Sequence, residues 1–427
     1  MYSQILKVLS GQALLGVVGL LCLPLIARGL GSDNYGNFSL FVIIMGAVFI
    51  FDFTRVLAVN KLSTADELSN EEISDYLSSM TIINSLFLFL FGFFLSYLLL
   101  GASYSLPLAL IGLFQSLASP YYAAMSCKGK VGNANLIRNI IWAFAYLASA
   151  YLVTITTYSN IYPWVFLFSN ICIYILYKKF ESINIYFVGI AGVKSVLKIY
   201  WRDISNLWLF NISAGVNTTT DKSLVKKFEP GVMFGQYSAQ ADMAQKLNML
   251  SQAISAVLFP MLASKFSSDG VSATLKVFSK YFILASIGFF VIIFPCVLWS
   301  YEIIIFLFGE EFISEYNFYA AFLVGVYANL LGFLIVSLHR AMNNFVEPRT
   351  EYLKAATLLA VCGLLTVPKY GVLAAFIIYN IPRLFDIYML TKLVVQHPDI
   401  KALKLSLCTF IFGLGVLILF ACRKFYW

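Results

Sequence analysis

Apolar runs long enough to cross a membrane recur along this chain, separated by short polar connectors. A run of about 18 or more apolar residues reads as a membrane helix. In lipid every backbone polar group must find an internal partner, which leaves helices and closed barrels as the spanning structures. The runs are blocks rich in Leu, Ile and Phe without strand-like alternation, so helices are favoured over a barrel. Twelve candidate spans follow: 5–27, 37–58, 79–100, 106–126, 135–157, 160–177, 203–225, 235–263, 278–300, 317–339, 353–369 and 371–394. A thirteenth run, KLSLCTFIFGLGVLILFACRK at 404–424, is apolar enough to span and lies beyond the core set. Composition agrees: 60% of the 427 residues are hydrophobic and 12% charged, against roughly 25% charged in a soluble domain. The expectation is an all-α polytopic membrane protein.

The formal charge of +8 would suggest nucleic acid in a soluble chain, but its distribution gives another reading. With the N-terminus placed in the cytoplasm, the inner connectors carry nineteen Lys and Arg and the outer ones four: Arg28, Lys226, Lys227 and Lys369. That is a strong positive-inside bias, and it alternates through all twelve spans. The outer connector Tyr301–Tyr316 is acidic and has no Lys or Arg. Nucleic acid is not expected as a partner. The acidic cluster Thr64–Asp75 reads as a solvated helical linker. The seven cysteines show no CxxC spacing and the two histidines stand far apart, so neither a disulfide framework nor a metal site is supported.

The longest connector between spans, 178–202, divides the spans six and six. The expected organisation is an N-terminal six-helix bundle (1–177), a cytoplasmic linker (178–202), a C-terminal six-helix bundle (203–394) and an extension with an extra span (395–427). The same short pattern follows the first span of each half. Tyr35-Gly36-Asn37-Phe38-Ser39 matches Phe234-Gly235-Gln236-Tyr237-Ser238 as aromatic, Gly, amide, aromatic, Ser. Gly16 and Gly215 stand at the same offset. Six spans return the chain to its starting side, so the halves read as parallel repeats, a transporter architecture with the substrate path between them.

A charge at the bilayer centre costs at least about 2.5–3.5 kcal/mol on insertion scales, so charges inside spans point to a polar pathway. Asp52 and Arg55 lie at i, i+3 in span two; Asp221 and Lys222 late in span seven; Asp242 and Lys246 at i, i+4 in span eight; Arg383 and Asp386 at i, i+3 in span twelve. Opposite charges at these spacings share a helix face. Two readings stay open. In one, the cations hold an anionic substrate and the carboxylates balance charge or take up a coupling ion. In the other, neutralised pairs lock helices together, a reading favoured for Asp242 and Asp386. The strip Asn211–Lys222, with Asn217 at its centre, reads as a cavity-facing wall suited to sugar hydroxyls. Arg28, Arg138 and Arg340 sit near span ends, where snorkelling to headgroups is the default.

Several stretches resemble the multidrug/oligosaccharidyl-lipid/polysaccharide (MOP) flippase superfamily, and its O-antigen flippases of the Wzx type in particular. They are ARGLGSDNYGNFSL (Ala27–Leu40), Thr219–Lys265 across spans seven and eight, FLFGEEFISEY (Phe306–Tyr316) and PKYGVLAAF (Pro368–Phe376). The resemblance implies a bacterial inner-membrane protein with two six-helix bundles around a central cavity. It implies transfer of an undecaprenyl-pyrophosphate-linked oligosaccharide from the cytoplasmic to the periplasmic leaflet, not enzymatic catalysis. It implies membrane lipids, a polysaccharide polymerase and a chain-length regulator as partners, and no cofactor beyond a coupling ion, H+ or Na+. It places the first connector at the outer rim, where Gly29, Gly31 and Gly36 permit a sharp turn. The competing readings are an ion-coupled multidrug exporter of the same superfamily and a membrane O-antigen polymerase. The latter tends to carry a long periplasmic loop, whereas the longest outer connector here is about sixteen residues.

Overall fold

The computed structural model of the chain describes residues 2–52, 70–128, 130–156, 160–181, 190–313, 317–342, 344, 346–398 and 400–425. Among these residues the structure is helical, without strands. In chain order the helices are α1 (Tyr2–Ile50), α2 (Asn70–Leu100), α3 (Ala102–Cys127), α4 (Val131–Ile155), α5 (Tyr162–Phe180), α6 (Ile190–Phe228), α7 (Gly231–Lys246), α8 (Asn248–Leu298), α9 (Ser300–Phe308), α10 (Phe318–Ala341), α11 (Val346–Tyr379), α12 (Ile381–Gln396) and α13 (Lys401–Phe425). A 3-10 turn at Glu310–Phe312 follows α9.

Three stretches are too long for a single crossing. Leu6–Phe49, Val257–Leu298 and Val346–Gln396 run for 44, 42 and 51 residues, or about 66, 63 and 77 Å at 1.5 Å per residue. The hydrocarbon core is only about 30 Å thick. Each contains one glycine in the left-handed region: Gly31 at φ 72°, Gly270 at φ 76° and Gly371 at φ 58°. A side chain is strained there and glycine is not, so the chain reverses within a single residue. These reversals separate spans one and two, eight and nine, and eleven and twelve. In the first connector the turn belongs to Gly31 alone. Gly29 and Gly36, read from sequence as turn residues, lie within helix.

The other spans map onto α2 to α6, α7 with the start of α8, and α10. The expected linker 178–202 is helical from Ile190, continuous with span seven in α6; residues 182–189 lie outside the described residues. Residues 64–69 of the acidic cluster also lie outside them, and 70–75 form the start of α2. Helix α13 is long and apolar enough to cross a membrane, as the thirteenth run suggested.

The chain divides into two compact units: residues 1–22 with 37–215, and 23–36 with 216–427. In the first, α2 and α3 approach closely at small residues. A Cβ on Gly92 would lie 2.9 Å from the Leu108 carbonyl oxygen, and one on Gly112 would lie 2.6 Å from that of Leu88. Such contacts suit association in lipid, where packing rather than water expulsion drives helices together. Phe38, Phe41, Tyr162 and Phe166 form an aromatic cluster in this unit.

In the second unit α10 is the central helix. It is apolar on all faces and almost wholly buried, as an all-round hydrophobic helix must be. Helices α7, α8, α11, α12 and α13 pack around it. Asn317 caps its first turn, its side chain accepting from the Ala320 amide at 3.2 Å. Helix α13 is held to this unit by Phe410, whose ring meets those of Phe282 and Tyr327.

Candidate functional site

In the first unit Asp52, just beyond the end of α1 in span two, is a wholly shielded charge. Asn84 Nδ2 donates to its Oδ1 at 2.8 Å, and Gln115 Nε2 and the Ser119 hydroxyl donate to Oδ2, the former at 3.3 Å. Donors from α2 and α3 thus surround an anion, the arrangement that makes a buried carboxylate tolerable. Its sequence partner Arg55 lies outside the described residues.

In the second unit the polar strip of α6 continues inward. Asn217, Asp221 and Lys222 are buried. The Tyr237 hydroxyl donates to Asp221 Oδ2 at 2.9 Å. Lys222 Nζ pairs with Asp242 Oδ1 at 2.5 Å, and the Tyr35 hydroxyl donates to Asp242 Oδ2 at 3.1 Å. The i, i+4 spacing pointed to Lys246 as the partner of Asp242, yet the salt bridge runs to Lys222 on the preceding helix. An aspartate is short, so a neighbouring helix that delivers an ammonium head-on provides the better geometry. Among the described residues neither amide atom of Asn217 has a hydrogen-bond partner, one turn before Asp221 on the same face.

A second polar group crosses α10, α11 and α12. Arg383 donates to Asn329 Oδ1 at 2.5 Å, lies 3.6 Å from Asp386 and sits 5.8 Å over the Tyr379 ring. Asn329 in turn donates to Asn248 at 3.0 Å, and the Tyr352 hydroxyl donates to Asp386 at 3.3 Å. Beside this group lies an apolar cavity of about 560 Å³ between α10, α11, α12 and α13. Val324, Phe376, Leu384 and Leu414 line it, with Asn380 and Arg383 as its polar residues. Ile377 and Leu384, 65% and 63% exposed, stand at its mouth.

The remaining sequence-selected residues are dispersed. Arg28 donates to the Phe306 carbonyl at 2.7 Å. Arg138 donates to Asn135 at 3.0 Å. Arg340 is exposed at the end of α10, and Lys246 is half-buried at the end of α7. Sequence reasoning passed over Asn84, Gln115, Asn329 and the tyrosines 35, 237 and 352. The amides carried a signal, being polar residues inside apolar runs. Tyr35 and Tyr237 stood out only as positions of the repeated motif, and none of the three tyrosines signalled its hydroxyl, because a tyrosine in a span is equally at home as a core ring or an interfacial anchor.

No family model matches the chain, and no curated protein sequence matches it. Solved structures do. The lipid II flippase MurJ in an inward closed conformation superimposes with a TM-score of 0.71 at 16% identity, over 97% of this chain and 96% of that one. An inward-facing multidrug resistance MATE family transporter of the MOP superfamily gives 0.64 at 9% identity, over 97% and 98%. A MOP superfamily transporter from Pyrococcus furiosus gives 0.58 at 9%, over 97% and 96%. The chain therefore has the all-α, polytopic membrane fold that these transporters share.

Proposed function

We propose that the chain is a flippase of the MOP superfamily, of the O-antigen type, moving undecaprenyl-pyrophosphate-linked oligosaccharide repeat units from the cytoplasmic to the periplasmic leaflet of a bacterial inner membrane. The N-terminus lies in the cytoplasm, and the substrate passes by alternating access along the charged residues of spans two, seven, eight and twelve. The observation that carries this reading is the apolar cavity with Arg383 on its wall. A slot of aliphatic and aromatic side chains beside a cation suits a molecule with a long hydrocarbon chain and an anionic head. Asn217, whose buried amide has no partner among the described residues, supplies the donor and acceptor that sugar hydroxyls use. The likeness to a lipid II flippase supports the lipid-linked class of substrate.

A multidrug exporter is the second reading, favoured by the buried carboxylate of Asp52, which suits a cationic substrate or a coupling ion. Deleting the gene in its own host separates the two. Loss of surface polysaccharide, with single lipid-linked repeat units stranded on the cytoplasmic leaflet, supports the flippase. Intact polymer rejects it and favours the exporter. Repeat units that reach the periplasm unpolymerised indicate a polymerase. Charge reversal of Arg55 or Lys246 is expected to abolish export with membrane insertion intact; normal export from both variants refutes their place on the pathway.

A further inference from the structure

The segment 23–36 precedes the first copy of the repeated motif and overlaps it at Tyr35 and Gly36, yet it packs with the second compact unit. Its seat is built from the second copy. Gly36 faces the Phe234 ring, where a Cβ would come within 2.6 Å of Cε1. Gly235 abuts the Ser32 carbonyl so closely that a Cβ would overlap it, and a Cβ on Gly231 would lie 3.1 Å from Asp33 Oδ1. Tyr35 is fully buried, edge-on to Phe308 and Phe312 with centroids 6.3 and 5.9 Å away. That aromatic turn is itself pinned. Gln236 donates to the Glu311 and Ile313 carbonyls at 2.9 Å each, and Gln240 donates to that of Phe312 at 3.0 Å.

Ring and glycine contacts of this kind are non-directional. The hydrogen bond from Tyr35 to Asp242 is directional and goes to a charged acceptor, which makes it one of the strong ones. One carboxylate carries both this bond and the pair with Lys222. The side chain of Lys222 is 0% exposed and that of Asp242 15%, so Asp242 is the partner with a route to water.

We propose that Asp242 is a clasp between the substrate path and this segment: an anionic headgroup that reaches Lys222 displaces Asp242 and thereby unlatches Tyr35. The exchange replaces one anion with another beside a buried ammonium, so Lys222 is never left unpaired, the state that costs most. A pyrophosphate carries more charge than a carboxylate and competes well. The displaced carboxylate turns toward water and takes with it the acceptor for the Tyr35 hydroxyl. The segment 23–36 is then held by its packing contacts and the bond from Arg28 to the Phe306 carbonyl, one directional contact fewer, and leaves the face of the second unit more readily. The choice of anion rests on the flippase reading; the latch does not.

The test uses the full chain, reconstituted, with all seven native cysteines replaced by alanine and spin labels at Asp33→Cys and Glu310→Cys, both exposed positions flanking the seat. Double electron–electron resonance reports the fraction of molecules with the segment displaced. Without ligand, Tyr35→Phe keeps the ring and removes the hydroxyl, and is expected to raise that fraction about tenfold, the change set by 1.4 kcal/mol. Should that variant not insert, Asp242→Ala, which removes the acceptor, gives the same comparison. An unchanged fraction overturns the latch. Inorganic pyrophosphate is expected to raise the fraction in the parent protein and not in Lys222→Gln. A response that persists in Lys222→Gln overturns the clasp. Opening in Tyr35→Phe without any pyrophosphate response in the parent overturns the anionic substrate and leaves the latch standing.

Discussion

Replacing Gly235 with alanine asks one methyl group to enter the place of the Ser32 backbone carbonyl. The obstacle is backbone, which has no rotamer to turn away, so the cost sits toward the upper end of the about 1–3 kcal/mol for overpacking. Alanine regains about 1 kcal/mol of helix propensity over glycine. The net is roughly 2 kcal/mol of destabilisation, about a thirtyfold change in an equilibrium. Gly288→Ala is the matched control. Gly288 also lies inside a helix, α8, but a Cβ there has nothing within 4 Å, so only the propensity gain remains. Thermal unfolding of the purified protein, followed by fluorescence-detected gel filtration, should show Gly235→Ala melting below the parent and Gly288→Ala at or above it. Equal melting of the two variants refutes the claim that the Ser32 approach is tight.

Three further outcomes are expected. Arg383→Leu leaves Asp386 buried beside an empty place and should cost about 3–5 kcal/mol. Adding Asp386→Leu should restore most of that loss, read as a coupling energy in a double-mutant cycle of thermal melts. Asp52→Leu strands the donors of Asn84, Gln115 and Ser119 at about 1–3 kcal/mol each, whereas Asp52→Asn, which keeps an acceptor, should melt well above it. Leu384→Trp at the mouth of the apolar cavity should cut polysaccharide export more than tenfold with little change in melting temperature, and unaltered export would remove the cavity from the lipid-chain reading.

The spans were legible because hydropathy is local: a run such as 317–339 or 404–424 announces its environment without reference to any other part of the chain. The reversals were only partly so. Gly31 could be read as one of three candidate glycines, but the helical packing at Gly36 is settled by what faces it, the Phe234 ring about two hundred residues away. The charges inside spans were found by their cost, and their partners only in part. Arg383 and Asp386 lie 3.6 Å apart at i, i+3, whereas the salt bridge of Asp242 reaches across to Lys222, a choice made by helix packing that no spacing rule encodes. The tyrosine hydroxyls that complete the carboxylate sites were invisible for the same reason.

The two copies of the repeated motif differ in where they carry a phenol. The first reads Tyr then Phe, the second Phe then Tyr. Tyr35 serves Asp242, while Tyr237, which stands at the place of Phe38, serves Asp221. Both phenols therefore serve carboxylates of the second unit, one from each copy of the motif, and exchanging the oxygen at either ring would leave one aspartate a donor short.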